Sequence, residues 1–432
     1  MSASVTVADV SGFGRTMRLF AMVAPIVWAA MVVALVVALL SDFPWGVGLA
    51  LLALFTLLVL PVLVYLQVLK RSKRFYDSEI AKGLTRAFES DRLLEDTFDL
   101  DTDKLIVLSD LHKGTRDGAD DFWRSEPAYM AALAYYLELG HRLVVLGDVE
   151  ELWENRAGNV MHEYKNVLEL EGKYHAAGRY ARVWGNHDDD WRRLRVARDH
   201  LCPALGSEVD MWEAIKLTVT KGGNEVGTLF LAHGHQGTAD SQILAAIARP
   251  AVKVFGFLQR KFKRPWNIPT LDANLRERHD LAMFRWATQR ASDRLVLIAG
   301  HTHRPVFWNT KPTRPSEAEI ALLEQTLEHE REAGAAPEVL AQTHARLEQW
   351  RARCLDGAKP PTTISPPCYF NTGCCAFSDG DVTGIEVADG EIRLVRWPND
   401  SGEPLPKQLV DPVLLEEIFA AVEAGAVSGD VA

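Results

Sequence analysis

Apolar and polar positions divide the chain into two regimes. From Phe20 to Leu40 no residue is charged, and from Trp45 to Leu69 only Gln67 is strongly polar. Each run is as long as a helix needs to cross the hydrocarbon layer, about 20 residues. Neither shows a polar face, and Ser41-Asp42-Phe43-Pro44 between them is a turn signal. Pro25 and Pro61 would end soluble helices but are tolerated in membrane ones. The pattern predicts a two-helix membrane hairpin within residues 1–75, with helices at about 20–40 and 45–69. From about Asp101 the pattern changes to short apolar runs that end in polar residues: Lys104–Asp110, His141–Asp148, Tyr180–Asn186, Thr228–His233 and Arg294–His301. Runs of this length suit buried strands. Helices are predicted between them, one from the N-cap Ser125 with Pro127 in its first turn to Gly140, another over Asn159–Ala177, closed by Gly178. Such alternation predicts a layered α/β domain over 76–432. In such sheets, ligands bind beyond the carboxyl ends of the strands.

Charge orients the two regimes. Residues 1–75 carry a net +4 against −11 for the whole chain, which leaves −15 on residues 76–432. Arg15 and Arg18 precede the hairpin, and Lys70, Arg71, Lys73 and Arg74 follow it; the turn has no Lys or Arg. The positive-inside rule then puts both ends, and the acidic body, in the cytoplasm, with the hairpin in the cytoplasmic (inner) membrane. The basic cluster would rest on anionic headgroups. An acidic body argues against a nucleic-acid partner. The five cysteines, Cys202, Cys354, Cys368, Cys374 and Cys375, include no C-x-x-C pair. They are expected as reduced, buried thiols rather than a disulfide framework or a structural zinc site.

Five motifs fall at the ends of the predicted strands. Asp110-Leu-His112 places a carboxylate and an imidazole two residues apart, on one side of an extended segment. Gly147-Asp148 offers a second carboxylate. Gly185-Asn186-His187-Asp188 offers an amide oxygen, an imidazole and an acid; His233-Gly234-His235 and Gly300-His301-Thr302-His303 add imidazoles. Mixed nitrogen and oxygen donors suit Mn, Fe, Zn or Co rather than Ca or Mg. Seven ligands are too many for one ion and suit two divalent ions if one carboxylate bridges.

Together DLH, GD, GNHD, HGH and GHTH resemble the motif set of the calcineurin-like metallophosphoesterase superfamily, over about Lys104 to Trp397 with insertions. Cys368–Gly373 resembles the core strand that follows GHTH in that family, and Gly384–Trp397, turning at 388–390, resembles its final strands. The resemblance implies a four-layer α/β/β/α sandwich. It implies one metal on Asp110, His112, Asp148 and His303, and a second on Asp148, Asn186, His233 and His301. The implied activity is hydrolysis of a phosphoester or pyrophosphate by a solvent nucleophile activated between two ions, Mn first among them. His187 resembles the family's catalytic histidine and would be the general acid. Asp188 either orients it or caps the next turn. His235 either faces substrate or is packed, Arg304 either binds a substrate phosphate or makes a surface salt bridge, Glu151 is read as orienting a ligand, and Lys113 as solvated.

Ser109–His112, Gly147-Asp148-x-x-Glu151 and Gly300–Pro305 are similar to the UDP-2,3-diacylglucosamine pyrophosphohydrolase branch, whose substrate is a lipid-linked nucleotide at the cytoplasmic membrane surface. That branch has Arg where this chain has His187, and it lacks the hairpin. The substrate class implied is therefore a lipid-linked nucleotide or phospholipid. A soluble nucleotide or phosphomonoester hydrolase, and a non-catalytic membrane-tethered binding protein on the same fold, remain open. Helical insertions are expected at about 238–290 and 316–356. In the first, Ala251–Arg264 interleaves aromatic and aliphatic residues with basic ones, as an interfacial helix or a packed one. The second, opening on a capping box at Ser316-x-x-Glu319, either rims the site, mediates self-association or has no role. A short helix is expected after Pro412.

Overall fold

The apolar runs become strands that are buried on both faces. The computed structural model describes residues 73–117, 120–238, 273–307, 367–377, 379–399, 405–409 and 412–428, with single helical positions at 327, 331 and 340. In chain order the main elements are α1 (Lys73–Phe88), β1 (Leu93–Asp99), β2 (Leu105–Leu108), α2 (Glu126–Glu138), β3 (Arg142–Leu146), α3 (Ala157–Glu163), α4 (Lys165–Ala176) and β4 (Tyr180–Val183). A run of short helical turns over 189–205 leads to β5 (Met211–Trp212), β6 (Ala214–Lys221), β7 (Asn224–Ala232), α5 (Ala273–Thr288), β8 (Leu295–Ala299) and β9 (Pro305–Phe307). Then come β10 (Tyr369–Thr372), β11 (Val382–Ala388), β12 (Glu391–Trp397), β13 (Lys407–Gln408), β14 (Val413–Leu414) and α6 (Leu415–Ser428).

The strands form two mixed sheets. The first runs β1-β6-β7-β8-β10-β9; the second runs β13-β12-β11-β2-β3-β4-β5, with β14 also on β12. In the second sheet β2, β3, β4 and β5 are mutually parallel. In the first, β7, β8 and β10 are parallel. Parallel strands need cover on both faces, which is why β2, β3 and β8 read as continuous apolar runs. Strand β6 instead alternates, burying Ile215, Leu217 and Val219 while Lys216, Thr218 and Thr220 lie half exposed. Helix α2 packs on β12 and α4 on β4, whereas α5 packs on β8 and β10 and α6 on β7 and β8. Strands β10 and β11 bring the two sheets into contact. The β11–β12 hairpin turns through Asp389 and Gly390, both at positive φ, as a two-residue turn requires.

One predicted helix is two. The stretch expected over 159–177 breaks at Tyr164, with φ −110° and ψ 29°. Its ring is drawn inward against Phe122, and its hydroxyl donates to Asp120 Oδ2 at 2.7 Å. Ser125 precedes α2 without a side-chain capping bond.

The chain divides into compact units at 1–76 and 77–432. The hairpin expected within 20–69, the basic-aromatic stretch 251–264 and, apart from three positions, the insertion 316–356 lie outside the described residues. Among the described residues no helix is long and apolar enough to cross a membrane.

Candidate metal centre

The carboxyl ends of the parallel strands of both sheets deliver the motif residues. Asp110 and His112 follow β2, Asp148 follows β3, and Asn186 to Asp188 follow β4, three neighbours in the second sheet. His233 follows β7, and His301 and His303 follow β8, neighbours in the first. Asp110, His112, Asp148, His301 and His303 all have φ between 50° and 68°. That left-handed backbone is uncommon for residues with a Cβ and costs on the order of 1 kcal/mol each. So Asp110-Leu-His112 is not the extended segment expected from its spacing. Sharp turns straight after the strands aim these side chains instead. Close approach finishes the placement: a Cβ on Gly185 would collide with Asp148 Oδ1, and one on Gly300 with Ser109 and with Asp110 Oδ2.

The side chains meet in groups positioned to hold a metal ion. Asp110, His112 and His303 form one, Asp148, His233 and His301 another, with the donor atoms of each within 4.8 Å of one another. His303 Nε2 lies 3.1 Å from Asp110 Oδ1 and 3.2 Å from His112 Nε2. His233 Nε2 lies 3.2 Å from Asp148 Oδ2, and that same oxygen is 3.9 Å from His112 Nε2, between the two groups. Bonds of about 2.0–2.2 Å to a first-row ion put adjacent donors on the order of 3 Å apart. The separations match. Two further atoms point the same way. Asn186 Oδ1 and His233 Nε2 are buried without a hydrogen-bond partner. His233 Nδ1–H donates to Leu146 O at 2.8 Å, which leaves Nε2 as the nitrogen turned toward Asp148 and available to a metal once its proton is displaced.

Surrounding bonds hold the donors in place. Ser109 Oγ donates to Asp110 Oδ2, which also accepts the His301 amide at 2.9 Å. The His187 amide donates to Asp148 Oδ1 at 2.8 Å. Glu151 Oε2 accepts from two imidazoles, His112 Nδ1 at 3.2 Å and His187 Nδ1 at 2.6 Å. The His187 ring stacks on Trp153 at 4.4 Å, and Trp153 Nε1 donates to Asn186 O. Asp188 does neither of the two things expected of it. Its carboxylate turns to the backbone, accepting from Val149 N at 2.9 Å and Gly185 N at 2.6 Å, and so ties the β3 and β4 loops together.

Lys113 is not solvated; it is fully buried. Its Nζ lies 3.1 Å from Glu150 and 3.4 Å from Glu171, and Arg182 pairs with the same two acids. Trp191 Nε1 and the Tyr129 and Tyr180 hydroxyls add donors. Two cations balance two anions here, which is what permits full burial. The cluster fastens the segment after His112 to the segment after Asp148.

Electrostatics in the centre are dominated by burial and by mutual charge. Burial opposes the charged form of His112, but the Glu151 hydrogen bond and the nearby carboxylates overcome it and push its pKa up to about 10. His233 rises to about 9 against burial, through Asp148 and Asp110. Burial would raise Asp148, but His233 and His187 hold it well below the usual carboxylate range. His301 goes the other way: burial, with His279 and His233 adding repulsion, keeps it neutral. A divalent ion would replace the protons that His112 and His233 otherwise carry.

His235 is buried, with Nδ1 unpartnered, and burial followed by His233 lowers its pKa to about 3. Arg304 is partly exposed, with Nε 3.9 Å from the buried Asp280. An open cleft of about 400 Å³, lined by Thr115, Glu154, Asn155, Arg156 and their neighbours, adjoins the segments after His112 and Glu151. Sequence patterning missed Trp153, His279 and Asp280; buried partners of this kind leave no periodic signal. Cys202, Cys368, Cys374 and Cys375 are free and buried. No family model matches this chain, and no curated protein matches it in sequence.

Proposed function

We propose that this chain is a membrane-anchored phosphohydrolase of the calcineurin-like metallophosphoesterase type, working with two divalent metal ions on a four-layer α/β/β/α sandwich. The observation that carries the reading is the convergence of Asp110, His112 and His303 with Asp148, His233 and His301, from loops of both sheets, at ligand-to-ligand spacings. Helices packed on each sheet, and β10 against β11, support the layered arrangement.

Asp110, His112, Asp148 and His303 would hold one ion, and Asp148, Asn186, His233 and His301 the other, with Asp148 shared. Manganese is the first choice for this donor set, with Fe, Zn or Co as the others. When bound, such a pair acidifies a water and neutralises charge gathering on phosphoryl oxygens. The protein supplies the rest. His187 donates Nδ1–H to Glu151, and the carboxylates of Glu151 and Asp148 raise its pKa against burial. It therefore keeps a second proton, on Nε2, to give to a leaving oxygen. Trp153 fixes the plane of the ring. Arg304 offers a cation, and His235 a neutral imidazole, to a substrate anion.

The proposed substrate is a lipid-linked nucleotide or phospholipid. The apolar runs at 20–40 and 45–69 support presentation at a cytoplasmic membrane surface. The test uses full-length protein in detergent, Mn added, against a panel of phosphomonoesters, diesters and pyrophosphates. Hydrolysis is expected, and Asp148→Ala should abolish it. A folded, metal-loaded wild type that cleaves none of them would end the enzyme reading.

A further inference from the structure

Two loops that leave different strands are held by adjacent residues of one helix. Helix α5 lies on β8 and β10 and carries none of the expected ligands. His279, fully enclosed, donates from Nε2 to Gly234 O at 2.7 Å, the carbonyl between His233 and His235. Its ring stands 5.1 Å from that of His301. Asp280, equally enclosed, turns to the other loop. Its Oδ1 accepts from Thr302 Oγ1 at 3.1 Å and from Tyr369 OH at 2.7 Å, and Arg304 faces its second oxygen. Asn371 Nδ2, from β10, closes the arrangement by donating to Gly300 O at 2.7 Å and to Thr302 Oγ1 at 3.2 Å.

Elsewhere the buried face of α5 is mostly packing through Ala282, Met283, Phe284, Trp286 and Ala287, and the buried Thr288 hydroxyl donates within the helix to Phe284 O. An imidazole and a carboxylate buried beside them are unfavourable unless their bonds have a purpose, since apolar residues would cover β8 equally well. One ring N–H of His279 is committed to the Gly234 carbonyl. Both polar groups act on loop backbone or on Thr302, which lies between two proposed ligands.

We propose that His279 and Asp280 are positioning residues: from a helix outside the ligand set they fix the loops that deliver His233, His301 and His303, so that half of the centre is shaped before a metal arrives. The inference rests on the metal-centre reading above. His279 fixes the peptide after His233, and Asp280 fixes the turn between His301 and His303. Groups that orient ligands in this way typically govern metal affinity by about 10- to 100-fold.

The test is calorimetric titration of Mn²⁺ into EDTA-stripped, full-length protein in detergent, with the unfolding midpoint of the metal-free protein measured beside it. His279→Leu should weaken binding about 10- to 100-fold. His279→Gln, whose amide can donate to the same carbonyl, should recover most of that loss. Thr302→Val, close in shape and lacking only the hydroxyl, tests the Asp280 arm and should weaken binding about tenfold even if His279→Leu fails to fold. If the variants lower the metal-free midpoint but bind Mn²⁺ as tightly as wild type, the positioning role is overturned and the metal centre stands. If the wild type itself binds no Mn²⁺, the metal-centre reading falls, and this inference with it.

Discussion

His112 sits between Glu151, Asp148 and His303, and its protonation is coupled to the stability of the fold. Its folded pKa is raised from 6.5 to about 10, with burial opposing and Glu151, Asp148 and Asp110 prevailing. A raised pKa adds stability that is complete below about pH 6.5 and is lost as the pH climbs through about 10. Protein stripped with EDTA should therefore show a falling unfolding midpoint across that window, whereas Mn-loaded protein should hold steady, because the metal has already displaced the proton. A flat profile for the stripped protein would contradict the assignment. His187 behaves differently. As the proposed general acid it must be protonated, so the rate should fall as pH rises through its raised pKa. Glu151→Gln removes the charge that raises it, and the alkaline limb of kcat should move to lower pH. His187→Gln should cut kcat by about 10²- to 10⁴-fold with metal content unchanged. The proposed ligands are legible as residues, because Asp, Asn and His at the ends of apolar runs are conspicuous. Lys113, Arg182, Glu150, Glu171, His279 and Asp280 are not. A charged residue reads as solvated until its partner is known, and Glu171 lies 58 residues from Lys113.

At the scale of elements, the loops depend on close backbone approaches that only glycine permits. Gly185→Ala would push a methyl group into Asp148 and should lower metal affinity at least tenfold by titration, on the scale of losing a group that orients a ligand. Unchanged affinity would show that the β4 loop is free to retreat. Helix α1 meets the loop after His233 in the same way. A Cβ on Gly83 would collide with the Gly237 amide, so α1 forms a wall of the 233–238 loop. Gly83→Val in the full chain should destabilise the unit by about 1–3 kcal/mol in denaturant unfolding, the usual effect of overpacking. Strands β2, β3 and β8 are readable because burial on both faces makes them continuous apolar runs, and β7 because its C-terminal half is one. The edge strand β1, Leu93–Asp99, hid because Glu95, Asp96 and Thr97 face solvent. Helix α5 hid inside a stretch taken as an insertion, with ANLRERHD at its start looking like a solvated surface. The break at Tyr164 depends on Asp120, which lies 44 residues earlier and which no local propensity reports.

For the whole molecule, two sheets whose parallel strands end at one place explain why motifs spread from Asp110 to His303 come together. The acidic body and the basic, apolar first 75 residues predict where the proposed activity would be found, at a membrane surface. Activity on a lipid phosphoester should rise when the substrate is presented in anionic vesicles, and added salt should weaken that gain. Indifference to the interface would favour a soluble substrate. In the proposed centre, side chains from both sheets grip two ions with Asp148 between them. Anomalous X-ray scattering at the manganese edge, on crystals grown with Mn²⁺, tests it directly. Two peaks are expected on the order of 4 Å apart, one beside Asp110, His112 and His303 and the other beside His233 and His301. No peak, or manganese bound away from Asp148, would contradict this arrangement.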